Sequence, residues 1–160
     1  TQGENTFNKL KALYRLPDKK GIHIVGNIRP IEERDVPTVL KLMNKQLERT
    51  TLKPKWTVEE AAHNLLPRDG IVCTWVVDNH LNGKMQVSDF ISITRSTQLI
   101  TSKNSKYNGQ DMYTANLGYY GLSQNSLLDM VKQTLWYSVE EMNCDNYIAL
   151  SLMSNDPKIF

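Results

Sequence analysis

Several kinds of residue and pattern are scarce in this chain, and each scarcity removes a class of protein. Cysteine occurs twice in 160 residues, at Cys73 inside an apolar run and Cys144 near the end of a helical pattern. The two have no paired spacing, so a disulfide-stapled scaffold is excluded and two buried or half-buried thiols in a reducing compartment are expected. No apolar stretch reaches membrane-spanning length, the opening Thr-Gln-Gly-Glu-Asn has no signal-peptide form, and there is no Asn-x-Ser/Thr acceptor; a cytoplasmic location is expected. A net charge of +2 without a basic stripe argues against a nucleic-acid binder, and Lys19-Lys20-Gly21 reads as a solvated loop. What is present, 40% hydrophobic and 22% charged residues, describes an ordered single domain with one core.

The chain is organised around residues 71–94, IVCTWVVDNHLNGKMQVSDFISIT. Asn82-Gly83 between two β-rich runs predicts a hairpin, because both residues accept the positive φ of a type I′ turn. A two-residue turn sets Trp75 opposite Phe90, an aromatic cross-strand pair. The first strand is apolar on both parities, with Ile71, Cys73, Trp75 and Val77 on one and Val72 and Val76 on the other. Such a strand belongs inside a sheet covered by helices on both faces.

Around it, residues 1–20 form a connecting segment in which nothing forces a helix or strand; Leu13–Leu16 reads as a short strand entering the domain. Ile22, Ile24 and Ile28 predict a strand ending near Pro30, with His23 toward solvent. Asp35 before Val36-Pro37 predicts an N-cap, and Val36, Val39, Leu40, Met43 and Leu47 give one buried stripe. Thr57 and Glu60 have capping-box spacing, and that helix, which carries His63, stops at Pro67. Ser96 to Gly109 reads mostly as an irregular surface connection. Residues 112–122, MYTANLGYYGL, read as a strand with Gly118 at a bulge or close approach. Ser126 caps a helix with an apolar stripe of Leu127, Leu128, Val131, Leu135, Val139 and Met142, ended by Asn143 or Cys144. Tyr147 to Leu152 is the last strand.

This order is α/β (α+β), a mixed sheet with helices on both faces, and it resembles the GNAT-like acyltransferase architecture without its last helix and strand. In that architecture a glycine-rich turn at the start of the helix after the fourth strand holds the pyrophosphate of acyl-CoA, through backbone N–H groups. The corresponding turn here, residues 120–126, has a single glycine, Gly121, and lacks the spaced Gln/Arg-x-x-Gly-x-Gly/Ala pattern. No cofactor is expected to bind this segment.

The resemblance narrows through segments occurring in one order: Leu13-Tyr-Arg-Leu-Pro17, Ile28-Arg-Pro30 with Arg34-Asp-Val-Pro37, Glu59-Glu60 with His63 and Pro67, Trp75-Val-Val77, Asn82-Gly83, Ser88-Asp-Phe-Ile-Ser92, Leu127-Leu-Asp129, and Ala149-Leu with Leu152-Met153. Together, over nearly the whole chain, they are similar to the C-terminal half of eukaryotic glycylpeptide N-myristoyltransferases. The resemblance implies that residues 21–160 are an acyltransferase-like domain serving as the peptide-binding half of an enzyme. That enzyme transfers myristate from myristoyl-CoA, its co-substrate, to the N-terminal glycine of proteins. It further implies a partner N-terminal half that binds myristoyl-CoA, a monomeric protein, and oxyanion-hole amides and a terminal carboxylate base lying outside these residues.

Ser96 is the position that carries over as a peptide contact. The family's peptide-contacting Tyr aligns with Leu117, with Tyr119 close by as the second candidate. Family members also carry an aromatic residue and a Leu-Pro pair before the Ser-Thr, whereas this chain has the shorter Ile93-Thr-Arg-Ser-Thr97. No catalytic residue is assigned to this chain, since no spacing joins its Ser, His and Asp into a nucleophile set, and no metal site is expected. Asp89 is either on the exposed parity or hydrogen-bonded, in a structural role. A non-catalytic peptide-binding or scaffold module with the same half-domain fold is the alternative.

Overall fold

The hairpin forms where the turn chemistry predicts it: Asn82 and Gly83 have φ of 53° and 75° and join β2 (Val72–Leu81) to β3 (Lys84–Leu99). The computed structural model describes residues 2–13, 15, 22–48 and 50–150. The two-residue register holds for four rungs and then shifts. Asp78 faces Val87 but Val77 faces Asp89, so Ser88 is an extra residue on β3, a β-bulge. Trp75 therefore faces Ile91, and Phe90 faces Val76, which corrects the expected Trp75–Phe90 pair. The bulge reverses the parity of β3 and sends the two aromatic rings to opposite faces of the sheet.

Five strands form one sheet in the order β1-β2-β3-β4-β5, with β1 at Asn27–Pro30, β4 at Asp111–Gly121 and β5 at Asn146–Ile148. Neighbours are antiparallel except β5, which runs parallel to β4. Both faces of β2 are buried, as its two-sided apolar pattern requires. On one face α2 (Val36–Gln46) and α3 (Val58–Leu65) pack Val36, Val39, Leu40, Met43, Ala61 and Leu65 onto Val76 and Phe90. On the other, α4 (Leu127–Glu140) covers Trp75, Val77, Ile91 and Ile93 with Met130, Val131 and Tyr137. Trp75 stacks on Tyr137 with ring centroids 4.5 Å apart. Ile71, outside β2, is exposed.

Local chemistry fixes the helix ends. Thr57 and Glu60 form the reciprocal capping box, and the Ser126 hydroxyl accepts the Asp129 N–H. Asp35 stands at the N-cap of α2 but makes no side-chain cap. Its carboxylate instead accepts bonds from Arg29 Nη1 at 2.6 Å and Nη2 at 3.0 Å, and from the Glu32 N–H. Arg29 also donates to Asp78 through Nε at 2.6 Å and Nη2 at 3.1 Å, tying β1, β2 and the start of α2 together. A charge-assisted partner outcompetes a neutral amide for the carboxylate.

Other expectations change. A helix, α1 (Gln2–Leu13), stands where neither helix nor strand was forced; Leu13 is its last, exposed residue, and Leu16 lies outside the described residues, as do Lys19 to Gly21. β3 runs on through Ser96 to Leu99, which shortens the irregular connection to residues 100–110. The buried side of α4 is rotated from the expected stripe: Leu128 and Val139 are exposed, while Gln133, Thr134 and Ser138 are buried. Thr134 and Ser138 satisfy their hydroxyls on the helix itself, at the carbonyls of Val131 and Leu135, so they enter the core as small residues. β5 is shorter than the run that predicted it, and its last predicted residues, Ser151 and Leu152, lie outside the described ones.

Candidate functional site

Beyond the helix-covered part, the α2/α3 face of the sheet changes character. Strand alternation and the registers of β2, β3 and β4 put Thr74, Ser92, Thr94, Ser96, Thr114 and Asn116 on that face. Apart from the buried Val72, apolar side chains give way to hydroxyls and an amide within two rungs of Phe90. At its far end Ser96 faces Thr114. The Ser96 hydroxyl accepts from Asn116 Nδ2 at 3.2 Å and donates, at a long 3.5 Å, to the Thr114 carbonyl. Asn116 Nδ2 also reaches the carbonyls of Thr94 and Thr114, each at 3.3 Å. Ser96 and Asn116 are half-buried and Thr94 is exposed, so this end offers hydroxyl and amide groups to a polar ligand. It holds no activated nucleophile.

Tyr119 reaches the same face through a second bulge. Ile91 faces Tyr120 but Ile93 faces Leu117, leaving Gly118 and Tyr119 against Ser92. The Ser92 hydroxyl completes the interrupted ladder, accepting the Tyr119 N–H at 2.8 Å and donating to the Tyr119 carbonyl at 2.9 Å. A Cβ on Gly118 would lie 2.7 Å from Ser92 Oγ and 3.2 Å from the Ser92 carbonyl; the close backbone approach requires glycine. Leu117 consequently packs with Ile91 and Met130 on the α4 side, and Tyr119 turns to the α2/α3 face, edge-on to Trp56 at 4.8 Å. Ser96 and Tyr119 thus share a face but not a contact, roughly 15 Å apart along the strands. Asn116, between them, was not singled out in the sequence, where an Asn in a Tyr- and Gly-containing strand gives no signal.

The turn before α4 is closed from within. Asp89 is fully buried, and its Oδ1 accepts the backbone N–H groups of Ser123, Gln124 and Asn125 at 2.6, 2.9 and 3.2 Å. Its Oδ2 accepts the Ser88 hydroxyl at 2.5 Å and Asn125 Nδ2 at 3.0 Å. Burial would push this carboxyl up, but the bonds from Ser88 and the three amides outweigh it and hold the carboxyl below the ordinary carboxylate range. Gly121 is the last residue of β4.

Elsewhere among the described residues the titratable groups form no catalytic set. His23, His63 and His80 are exposed, and among the described residues no group of three His, Cys, Asp or Glu could hold a metal ion. Cys73 and Cys144 are free, and burial pushes both thiols up, away from reactivity. No helix among the described residues is long and apolar enough to cross a membrane.

A sheet of four antiparallel strands and a parallel fifth, with helices on both faces and an amide-lined turn after the fourth strand, defines an acyltransferase-like fold. A predicted acetyltransferase from Clostridium acetobutylicum, solved with acetyl-CoA, shares it at a TM-score of 0.52 and 15% identity, over 78% of this chain and 80% of that one. Residues 1–159 match the model of the myristoyl-CoA:protein N-myristoyltransferase C-terminal domain, and the chain belongs to that family. It is 32% identical over 156 residues to a probable glycylpeptide N-tetradecanoyltransferase of Caenorhabditis elegans, covering 97% of this chain and 32% of that protein. It is 31% identical over 151 residues to glycylpeptide N-tetradecanoyltransferase 2 of Bos taurus, covering 94% of this chain and 28% of that protein. Saccharomyces cerevisiae N-myristoyltransferase, solved with bound myristoyl-CoA, matches at a TM-score of 0.75 and 22% identity, over 96% of this chain and 39% of that one. The chain spans about a third of the length of the curated relatives it matches.

Proposed function

We propose that this chain is the peptide-binding part of a protein N-myristoyltransferase, with residues 21–160 as the domain and residues 1–20 as its connection. The whole enzyme transfers myristate from myristoyl-CoA to the amine of an N-terminal glycine, as a cytoplasmic monomer. Its myristoyl-CoA site, oxyanion amides and base belong to parts of the protein other than these residues. One observation carries the reading: the polar strip of Ser96, Asn116 and Thr94, partly exposed at one end of the sheet. Extended peptides are bound through such hydroxyl and amide groups, each worth roughly 0.5–1.5 kcal/mol net. In this reading Ser96 and Tyr119 contact the peptide.

The test is transfer of labelled myristate to a Gly-initiated peptide by the full-length protein carrying this segment. Ser96→Ala is expected to raise the peptide KM severalfold and leave the affinity for myristoyl-CoA unchanged. Tyr119→Ala is expected to act in the same direction. Wild-type peptide KM values for both variants would remove the peptide from this face and leave a scaffold role for the domain. The chain of residues 1–160 alone is expected to transfer no myristate.

A further inference from the structure

We propose that Asp89 is a built-in ligand: it occupies the anion site at the start of α4 and keeps phosphate groups out of this part of the fold. Three consecutive backbone N–H groups converging on one point, ahead of a 14-residue helix, make a concavity that selects negative charge. Such a seat does not discriminate between a carboxylate and a phosphate oxygen. Here it is filled by Asp89 Oδ1, which takes the amides of Ser123, Gln124 and Asn125, while Oδ2 takes the remaining donors from Ser88 and Asn125. No N–H of the three is left for an incoming anion, and a phosphate would meet a buried like charge.

A second, independent feature shows how the carboxylate is aimed. Without the Ser88 bulge the alternation of β3 would turn Asp89 to the α2/α3 face; the one extra residue turns it to the α4 face, under the turn. The same carboxylate anchors a wider network. Asn125 donates to Asp89 and the Val25 carbonyl and accepts the Val25 N–H, and Asn79 donates to the Val25 carbonyl and to Ser88 Oγ. Asp89 is therefore a positioning residue for both the α4 turn and the approach to β1. This inference does not depend on the peptide-binding reading, since it concerns the other end of β4 and the opposite face.

The test follows amide hydrogen exchange of residues 123–126 in the full-length protein, in chloride and in inorganic phosphate or acetate at matched ionic strength. In the wild type these amides are expected to be protected and indifferent to either anion. In Asp89→Ala their exchange should accelerate by about tenfold or more, and phosphate or acetate should slow it again saturably. Asp89→Asn, which keeps an acceptor oxygen without the charge, should sit between the two and gain less from phosphate. If Asp89→Ala does not fold in chloride, recovery of folded protein in phosphate or acetate supports the proposal, and no recovery in either overturns it. It is also overturned if phosphate slows wild-type exchange in this segment, if Asp89→Ala exchanges as slowly as the wild type, or if the folded variant ignores both anions.

Discussion

The two ends of the α2/α3 face are built from the same three strands and do opposite things. Around Val76 and Phe90 the sheet is apolar, sealed by α2 and α3, and joined to α2 by the Arg29 ion pairs. Four to six rungs away, at Asn116 and Ser96, it is polar and half-open. In the reading proposed above, position along a strand separates the structural end from the binding strip of Ser96 and Asn116. Substitutions at the closed end should cost stability, and those at the open end should change binding while leaving folding alone.

The largest effect is expected at Trp75, on the reverse of the closed end. Trp75→Ala removes the ring stacked on Tyr137 and should lower unfolding free energy by about 3–5 kcal/mol, read from the urea midpoint. Next is Arg29→Ala, which leaves the carboxylates of Asp35 and Asp78 facing each other without their cation. A loss of about 2–4 kcal/mol is expected for such a partly buried pair. Burial would raise the Asp35 carboxyl, but the Arg29 bonds outweigh it and hold it low. The corresponding stability is present above the unfolded carboxylate value of about 3.9 and is lost as pH falls through the lower folded value. In Arg29→Ala that part of the acid-side slope should flatten.

Gly118→Ala, at the boundary between the two ends, should cost about 1–3 kcal/mol because its Cβ meets Ser92 on β3. The smallest stability effect is expected at the open end. Ser96→Ala should stay within about 0.5 kcal/mol of wild type, even where it raises the peptide KM. A Ser96 variant that unfolds as readily as the Trp75 variant would erase the distinction between the two ends.

What could be read in the sequence follows the range of the interaction responsible. The Asn82-Gly83 turn, the Thr57–Glu60 capping box, the Ser126 cap and the α2 stripe are written within a few residues, and all stand as read. The Ser88 bulge is not local: it turns Asp89 toward amides 34–36 residues away, and with it went the Trp75–Phe90 pair. Asp35 misled for the same reason, its partner Arg29 lying in another strand. Residues 96–99 passed for loop because hydroxyl-rich strands on an open face look like loops when only hydrophobic pattern is used. In α4 the pattern favoured Leu128 and Val139, while Thr134 and Ser138 could be buried after satisfying their own hydroxyls. Of the candidate site, Ser96 was named through family resemblance, Tyr119 only as a neighbour of Leu117, and Asn116 not at all.

That Ser96 sits in a strand gives any change in the length of this segment a simple arithmetic. A strand is read in twos, so a loss of two residues would preserve its reading frame, and later side chains would keep their side of the sheet while sliding about 6–7 Å along it. Losing one would exchange the places of Ser96 and Arg95. The arginine, which lies over the Tyr113 ring and donates to the Met142 carbonyl, would have been turned out onto the open face, and the serine buried beneath α4. A change in the length of β3 by an even number of residues therefore keeps the polar strip, whereas an odd change converts it into a cationic one.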